Sequence, residues 1–266
     1  MEPERWRTQA RSFGSAAALY DRIRPSYPAA AIEWVLQPLG SVRHRVLDVG
    51  AGTGILTRQL VDAAHTVLAV EPDDQMRQIL ETRTPQALAL AGSAEAIPLP
   101  DASVDGAVAG QAYHWFDRDR AHAELARVIR PGGVFAAIWN DRDESRAWVA
   151  EYSRIVDGDR GLDGGAESDQ EAIEFGENFS TPQFARFRHE ARYTPETLVE
   201  LLRSRSYFLT ATPQRRAALE AEVRDLATTH PDLAGRAEFP LPYVTVAHRA
   251  MRLHRPEQAA DSFGIR

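Results

Sequence analysis

The sequence predicts an α/β fold: a doubly wound, mostly parallel sheet with helices on both faces. Three observations carry that prediction. Short apolar runs alternate with longer amphipathic stretches, as a parallel sheet covered by helices requires. Five apolar runs with the β period follow one another between residues 44 and 139, joined by helical spacing, which favours successive βα units. The first run ends in an acid and turns through three glycines on alternate positions, Val46-Leu47-Asp48-Val49-Gly50-Ala51-Gly52-Thr53-Gly54, before helical spacing resumes.

In chain order, residues 6–21 read as a helical or loosely ordered arm and 28–36 as an amphipathic helix. Strands are expected at 44–49, 66–71, 87–91, 104–109 and 134–139, with helices at 55–64, 73–82 and 118–129 between them. A helix over 146–156 follows. Residues 157–170, rich in Gly and Asp, predict a mobile surface loop. A strand at 184–193 leads to helices at 196–208 and 213–228, each opened by a proline where the missing N–H does no harm. Alternation over 241–249 predicts a last strand returning antiparallel, which completes a Rossmann-like seven-stranded sheet with a small helical cap. The chain then divides into an arm or lid (1–37), an α/β core (38–157), a mobile loop (158–182), the last strands with their inserted cap (183–252) and a tail (253–266), within one overall domain.

Composition narrows the function. With 266 residues the chain can bury a full core. No apolar stretch approaches the roughly 20 residues of a membrane span, and no charged start precedes an apolar h-region, so a cytoplasmic protein without membrane contact is expected. The absence of cysteine excludes disulfides, thiolate metal sites and cysteine nucleophiles. A net charge of −7 argues against a dedicated nucleic-acid binder, which needs a basic surface. All 31 basic residues are arginine, which removes Schiff-base and P-loop chemistry. The eight histidines show no H-E-x-x-H or similar pairing, so no metal is expected.

A strand, a glycine turn and a helix start bring a small molecule against bare backbone, with free N–H groups at the helix end. That predicts a nucleotide-like cofactor. The spacing here is G-x-G-x-G, whereas dinucleotide dehydrogenases use G-x-G-x-x-G. Glu71 closes the second strand 17 residues beyond Gly54, at the height where an acid accepts ribose hydroxyls. Such an acid suits either NAD or S-adenosylmethionine.

Two later segments distinguish them: Gly92-Ser93-Ala94-Glu95-Ala96-Ile97-Pro98 with Gln111-Ala112-Tyr113-His114-Trp115-Phe116-Asp117, and Arg127-Val128-Ile129-Arg130-Pro131-Gly132-Gly133. Together with the opening motif they resemble the class I S-adenosylmethionine-dependent methyltransferases, in particular the small-molecule branch called type 11. The resemblance covers residues 13–140 strongly and the C-terminal part more loosely. It implies that the backbone of Gly50, Ala51, Gly52, Thr53 and Gly54 holds the methionine end of the cofactor, with Asp48 organising the turn or the amine through water. It further implies that Glu71 takes the ribose hydroxyls, Pro72 and Met76 flank the adenine, Ser93 and Ala94 close on its edge, and Gln111 offers a carbonyl to the amine. The family often has Asp where this chain has Ser93, which implies weaker adenine selection.

His114 and Trp115 follow the fourth strand at the carboxyl end of the sheet, where doubly wound folds bind ligands. His114 could deprotonate the methyl acceptor or, with Tyr113 and Trp115, line its pocket. Phe13, Tyr20, Arg24 and Tyr27 resemble the arm that folds over the cofactor, Tyr20 and Tyr27 on the acceptor side. The expected reaction is in-line transfer of the methyl group to a small molecule through proximity and orientation, releasing S-adenosylhomocysteine, by a monomer or homodimer. A catalytically silent cofactor-binding regulator and a nicotinamide oxidoreductase are the rival readings.

Overall fold

The computed structural model describes residues 16–157 and 173–254. Helices α1 (Ala17–Ile23) and α2 (Ala29–Leu36) precede the core. The chain then runs β1 (Arg45–Val49), α3 (Ile55–Asp62), β2 (Thr66–Glu71), α4 (Asp74–Arg83), β3 (Leu88–Ala91), β4 (Val104–Gly110), α5 (Arg118–Val128) and β5 (Ile129–Arg142). After α6 (Ala147–Asp157) come β6 (Gln183–Tyr193), α7 (Pro195–Arg203), α8 (Ser206–Thr210), α9 (Pro213–Thr229) and β7 (Phe239–Met251). The seven strands lie in the order β3-β2-β1-β4-β5-β7-β6. β1 to β5 pair in parallel, and β7 runs antiparallel to both β5 and β6.

Strand alternation sorts side chains onto two faces. Val46, Val67, Val108 and Ile138 face α2 and α3, where Ile32, Val35, Leu56 and Leu60 cover them. Leu47, Val49, Ala107 and Phe135 face the other way, under Leu125 and Val128 of α5. A third cluster joins α6, α7 and α9 to the first residues of β7 through Trp148, Tyr152, Leu202, Val223 and Tyr243. Ile23 of α1 belongs to this cap cluster, so the arm and the cap share packing.

Three expectations are corrected. The helix predicted over 196–208 is two helices, because the Ser204 hydroxyl turns back to the Leu201 carbonyl (2.7 Å) and α7 ends there. β5 extends well beyond 134–139 at both ends, with Pro131 and Gly132 inside a register shift between the Val104–Ile129 and Gly106–Val134 pairs. Of the predicted mobile loop, residues 158–172 lie outside the described residues, but Ile173, Phe175 and Phe179 are buried against Phe135 and Tyr113. The arm is helical from Ala17, and residues 1–15, including Phe13, lie outside the described residues.

Candidate functional site

The carboxyl ends of β1, β2, β4 and β5 converge on the glycine turn. Gly50, Gly52 and Gly54 have φ of +69°, +57° and +85°, the left-handed region that a Cβ disfavours. The Gly50 and Ala51 amides donate to the Val70 carbonyl at 2.9 and 3.1 Å, fastening the turn to β2. A Cβ on Gly50 would lie 2.7 Å from that of Ala112, so glycine is required there by the β4 loop. At Gly52 the constraint differs: a Cβ would meet only the Met76 sulfur, at 3.8 Å. The turn is therefore open at Gly52, where a side chain would fill space that lies against bare backbone.

Two acids sit under this opening. Asp48 is 1% exposed; its Oδ2 accepts from the Thr57 hydroxyl at 2.6 Å, while Oδ1 is buried with no hydrogen-bond partner. Burial pushes the Asp48 pKa up to about 7, and nearby Glu71 adds to the rise against the hydrogen bond from Thr57. Glu71 accepts from the Gly52 amide (2.8 Å) through Oε2 and from the Asp73 amide (2.8 Å) through Oε1. Burial raises its pKa also to about 7, in spite of those two amides. Two buried carboxyls with incompletely compensated charge define a site that favours a cation. The buried Thr53 hydroxyl likewise has no partner.

The remaining cofactor candidates are distributed unevenly. Met76 is buried at the mouth of the turn and Pro72 is exposed beside it. Asp73 caps α4 by accepting from the Gln75 and Met76 backbone amides at 2.9 and 3.0 Å, which fixes the first turn of that helix. Ser93 forms a short bridge with Ala96 and is half-buried, but the Ala94 side chain points into the core. Gln111 holds φ +55°, a left-handed conformation uncommon for its type and typical of functional loops. Its amide donates to Ile138, and its side chain to the Asn140 carbonyl at 3.1 Å.

The acceptor candidates need more correction. Tyr113 is 1% exposed; its hydroxyl donates to the Glu174 carbonyl (3.1 Å) and lies 2.9 Å from His122 Nε2, so the side chain is a core element. Alternating apolar residues could not reveal this, because the partner, Glu174, comes from a segment read as loop. His114 and Trp115 are half-buried in a single helical turn, with rings 4.9 Å apart. Trp139 Nε1 donates to His114 Nδ1 at 3.3 Å, which leaves the ring proton of a neutral His114 on Nε2. A bare nitrogen for proton abstraction is then available only at the expense of the Trp139 bond.

The arm reaches the site. The Tyr27 backbone and the Gln59 side chain exchange hydrogen bonds of 2.9 and 2.6 Å, and Arg58 binds Asp21 at 2.6 Å. Buried Tyr27 thereby lies against β4, where a Cβ on Gly110 would sit 2.8 Å from its hydroxyl. Burial raises the Tyr27 pKa well above its usual value, with Tyr20 and Asp48 contributing and Arg24 opposing. The Tyr20 ring stacks under the Arg24 guanidinium at 4.8 Å.

Asn140, at the end of β5, was not singled out by the sequence. Its Oδ1 accepts from the Thr245 hydroxyl (2.6 Å) and from His189 (3.2 Å), and its Nδ2 donates to the Ser26 carbonyl (3.1 Å). It thus joins arm, β6, β7 and Gln111. A polar residue closing an apolar strand, as Asp48 does in β1, was the available signal. A cleft of about 650 Å³, bounded by Asp143, Arg146, Arg188, His189 and Tyr243, opens at this same end of the sheet, beyond Asn140.

Strand order, antiparallel seventh strand and glycine turn together define the Rossmann-like methyltransferase class. A family model described as a methyltransferase domain matches residues 47–137. An uncharacterized methyltransferase of Mycobacterium tuberculosis is 45% identical over 92% of this chain and 97% of its own length, and one of Schizosaccharomyces pombe is 30% identical over 91% and 98%. The solved structure of a protein assigned as a type II methyltransferase, from Anaeromyxobacter dehalogenans, superposes with a TM-score of 0.66 at 28% identity, over 87% of this chain and 99% of that one. The chain belongs to this methyltransferase family. Among the described residues no helix is long and apolar enough to cross a membrane, and no group of three or more His, Asp or Glu could hold a metal ion.

Proposed function

We propose that the protein transfers a methyl group from S-adenosylmethionine to a small-molecule acceptor at the carboxyl end of its sheet. The observation that carries this reading is the open turn at Gly52 over two buried acids, Asp48 and Glu71, with an unpartnered oxygen on Asp48. When bound, the cofactor supplies a methyl group made electrophilic by a positive sulfonium, and it carries an ammonium as well.

The residues suit the sulfonium and the ammonium of such a ligand, whose carboxylate leaves it a net monocation. Asp48 and the Gly50 to Gly54 backbone would hold the amino acid end, Glu71 the ribose, and Met76 with Pro72 and Ser93 the base. Each oxygen of Glu71 accepts one backbone amide and retains a lone pair for a hydroxyl. Gln111, pinned by Ile138 and Asn140, presents the β4 loop in a fixed conformation. Tyr27 and Tyr20 would form the acceptor side, and His114 and Trp115 its wall. Alignment and exclusion of water are the main demands of such a displacement, so no dedicated base is required for an acceptor that is already anionic.

Calorimetric titration tests the reading. S-adenosylmethionine and its product are expected to bind with micromolar affinity, and Gly52→Val to abolish binding without unfolding the chain. Folded protein that gives no heat with either compound would overturn it.

A further inference from the structure

The arm and the cap meet in a second polar cluster of opposite sign to the cofactor site. Arg24, on the arm, donates through Nε to the Ser204 hydroxyl and through Nη2 to the Ser204 carbonyl, both at 2.9 Å. Ser204 and Arg205 form the break between α7 and α8. Arg205 therefore enters the cluster at the residue after the one Arg24 grips, and its Nε is buried with no hydrogen-bond partner. Neither guanidinium forms a salt bridge among the described residues. Desolvation and the neighbouring Arg205 pull the Arg24 pKa down to about 10, the sign of a buried cation short of anions. Arg205 differs: desolvation lowers its pKa, but Asp157, itself paired with Arg142, and the surrounding tyrosines raise it overall, so Arg205 is held charged.

The surroundings are neutral and aromatic. Tyr20, Tyr152, Tyr207 and Tyr243 lie within electrostatic reach of one or both guanidiniums. Tyr193 donates to the Ile23 carbonyl (3.1 Å) and lies 3.3 Å from the Tyr243 hydroxyl, which holds arm to sheet beside the cluster. The cluster continues to the cofactor site through Tyr20 and Tyr27, the latter within reach of both Arg24 and Asp48. A planar guanidinium fork matches a carboxylate in two hydrogen bonds; Arg205, charged and with its buried Nε unpartnered, supplies the fork, and the remaining N–H groups of Arg24 add a second cation beside it.

We infer that Arg24 and Arg205 bind a carboxylate of the methyl acceptor, so that the substrate class is small organic acids entering between arm and cap. This rests on the methyltransferase reading, since the cluster becomes an acceptor site only if the methyl donor occupies the glycine turn. Arg205 is the specificity residue and Arg24 both ligand and brace, because its bonds to Ser204 also set the position of Arg205.

The test uses the full chain saturated with S-adenosylhomocysteine and a panel of alkyl mono- and dicarboxylates, from acetate to decanoate and succinate to sebacate, each paired with its neutral amide. Calorimetry is expected to find acids that bind at least about tenfold tighter than their amides, and Arg205→Gln to remove that preference while the affinity for S-adenosylhomocysteine is unchanged. Arg205→Lys, which keeps the charge and loses the fork, is expected to fall between. Equal binding of acids and amides, binding of neither, or an undiminished preference in Arg205→Gln would overturn the inference. If Arg205→Gln does not fold, the acid and amide comparison on wild type and Arg205→Lys decides. Failure to bind S-adenosylhomocysteine at all would instead overturn the methyltransferase reading, so the two failures are distinguishable.

Discussion

Asp48 makes the stability of the ligand-free protein depend on pH in a sense opposite to that of a salt-bridged acid, and Asp48→Asn tests this. Its pKa rises from an ordinary 3.8 to about 7 on folding, chiefly because burial disfavours the carboxylate. A raised folded pKa contributes stability that is fully present below pH 3.8 and is lost as pH rises through about 7. At about 1.36 kcal/mol per unit, the full difference approaches about 4 kcal/mol, of which about 2–3 kcal/mol falls between pH 5 and pH 8. Asparagine has no such ionisation and can still accept the Thr57 hydroxyl.

Urea denaturation of wild type and Asp48→Asn at about pH 5 and about pH 8 reads the effect, and the difference of differences reports Asp48 together with its coupling to Glu71, which titrates in both proteins. The wild type is expected to lose about 2–3 kcal/mol more than the variant over this interval. Identical pH dependence in the two proteins would refute the assignment of a proton to Asp48 and, with it, the argument that the turn is built for a cation. S-adenosylmethionine should reverse the trend, because a bound cation favours the ionised acid: its affinity is expected to rise towards pH 8 with release of a proton, visible as a buffer-dependent heat.

The glycines separate structure from binding. Gly50→Ala is expected to lower stability by about 2 kcal/mol or more, because its Cβ would overlap Ala112 at a φ of +69°, whereas Gly52→Ala costs only about 1 kcal/mol in stability yet weakens cofactor binding at least tenfold by calorimetry. Tyr113→Phe is expected to destabilise the fold by about 1–2 kcal/mol in denaturant while the KM for the acceptor stays unchanged, since its hydroxyl serves Glu174 and His122. Asn140→Ala releases Ser26, Thr245 and His189 together and should raise the KM for the acceptor more than it weakens S-adenosylhomocysteine binding, measured by initial rates and calorimetry.

The proposed cofactor half of the site reads from the sequence because it is local. Asp48, three glycines and Glu71 lie within 24 residues, on two strands whose periodicity is plain, and the backbone conformation they need restricts the residue type. The proposed acceptor half is assembled from distant segments. Arg24 and Ser204 are separated by 180 residues and meet through hydrogen bonds that no periodicity encodes. The break between α7 and α8 was hidden for a related reason: the residues on either side keep helical spacing, and only the Ser204 hydroxyl competing for the Leu201 carbonyl ends α7. Tyr113 misled because it stands in an identifying motif, while its role is to bury an aromatic ring against Phe135 and Phe175.

The two halves of the proposed site carry opposite charge, and their separation follows from what each would hold on the proposed reading. A cationic methyl donor needs acids, and an acidic acceptor needs guanidiniums; placed side by side without an intervening layer, Asp48 and Arg24 would neutralise one another. Tyr27 and Tyr20 form that layer. The hydroxyl of Tyr27 is raised in pKa by burial and by Asp48 and lowered by Arg24, as expected for a neutral group lying between an acid and a base. Its backbone is clamped to Gln59 on the cofactor side, and the Arg24 chain to Ser204 on the cap side. On the proposed reading the arm would act as a partition, keeping Asp48 and Glu71 from pairing with Arg24 and Arg205 and leaving a positive donor and a negative acceptor to bring charge balance to the site.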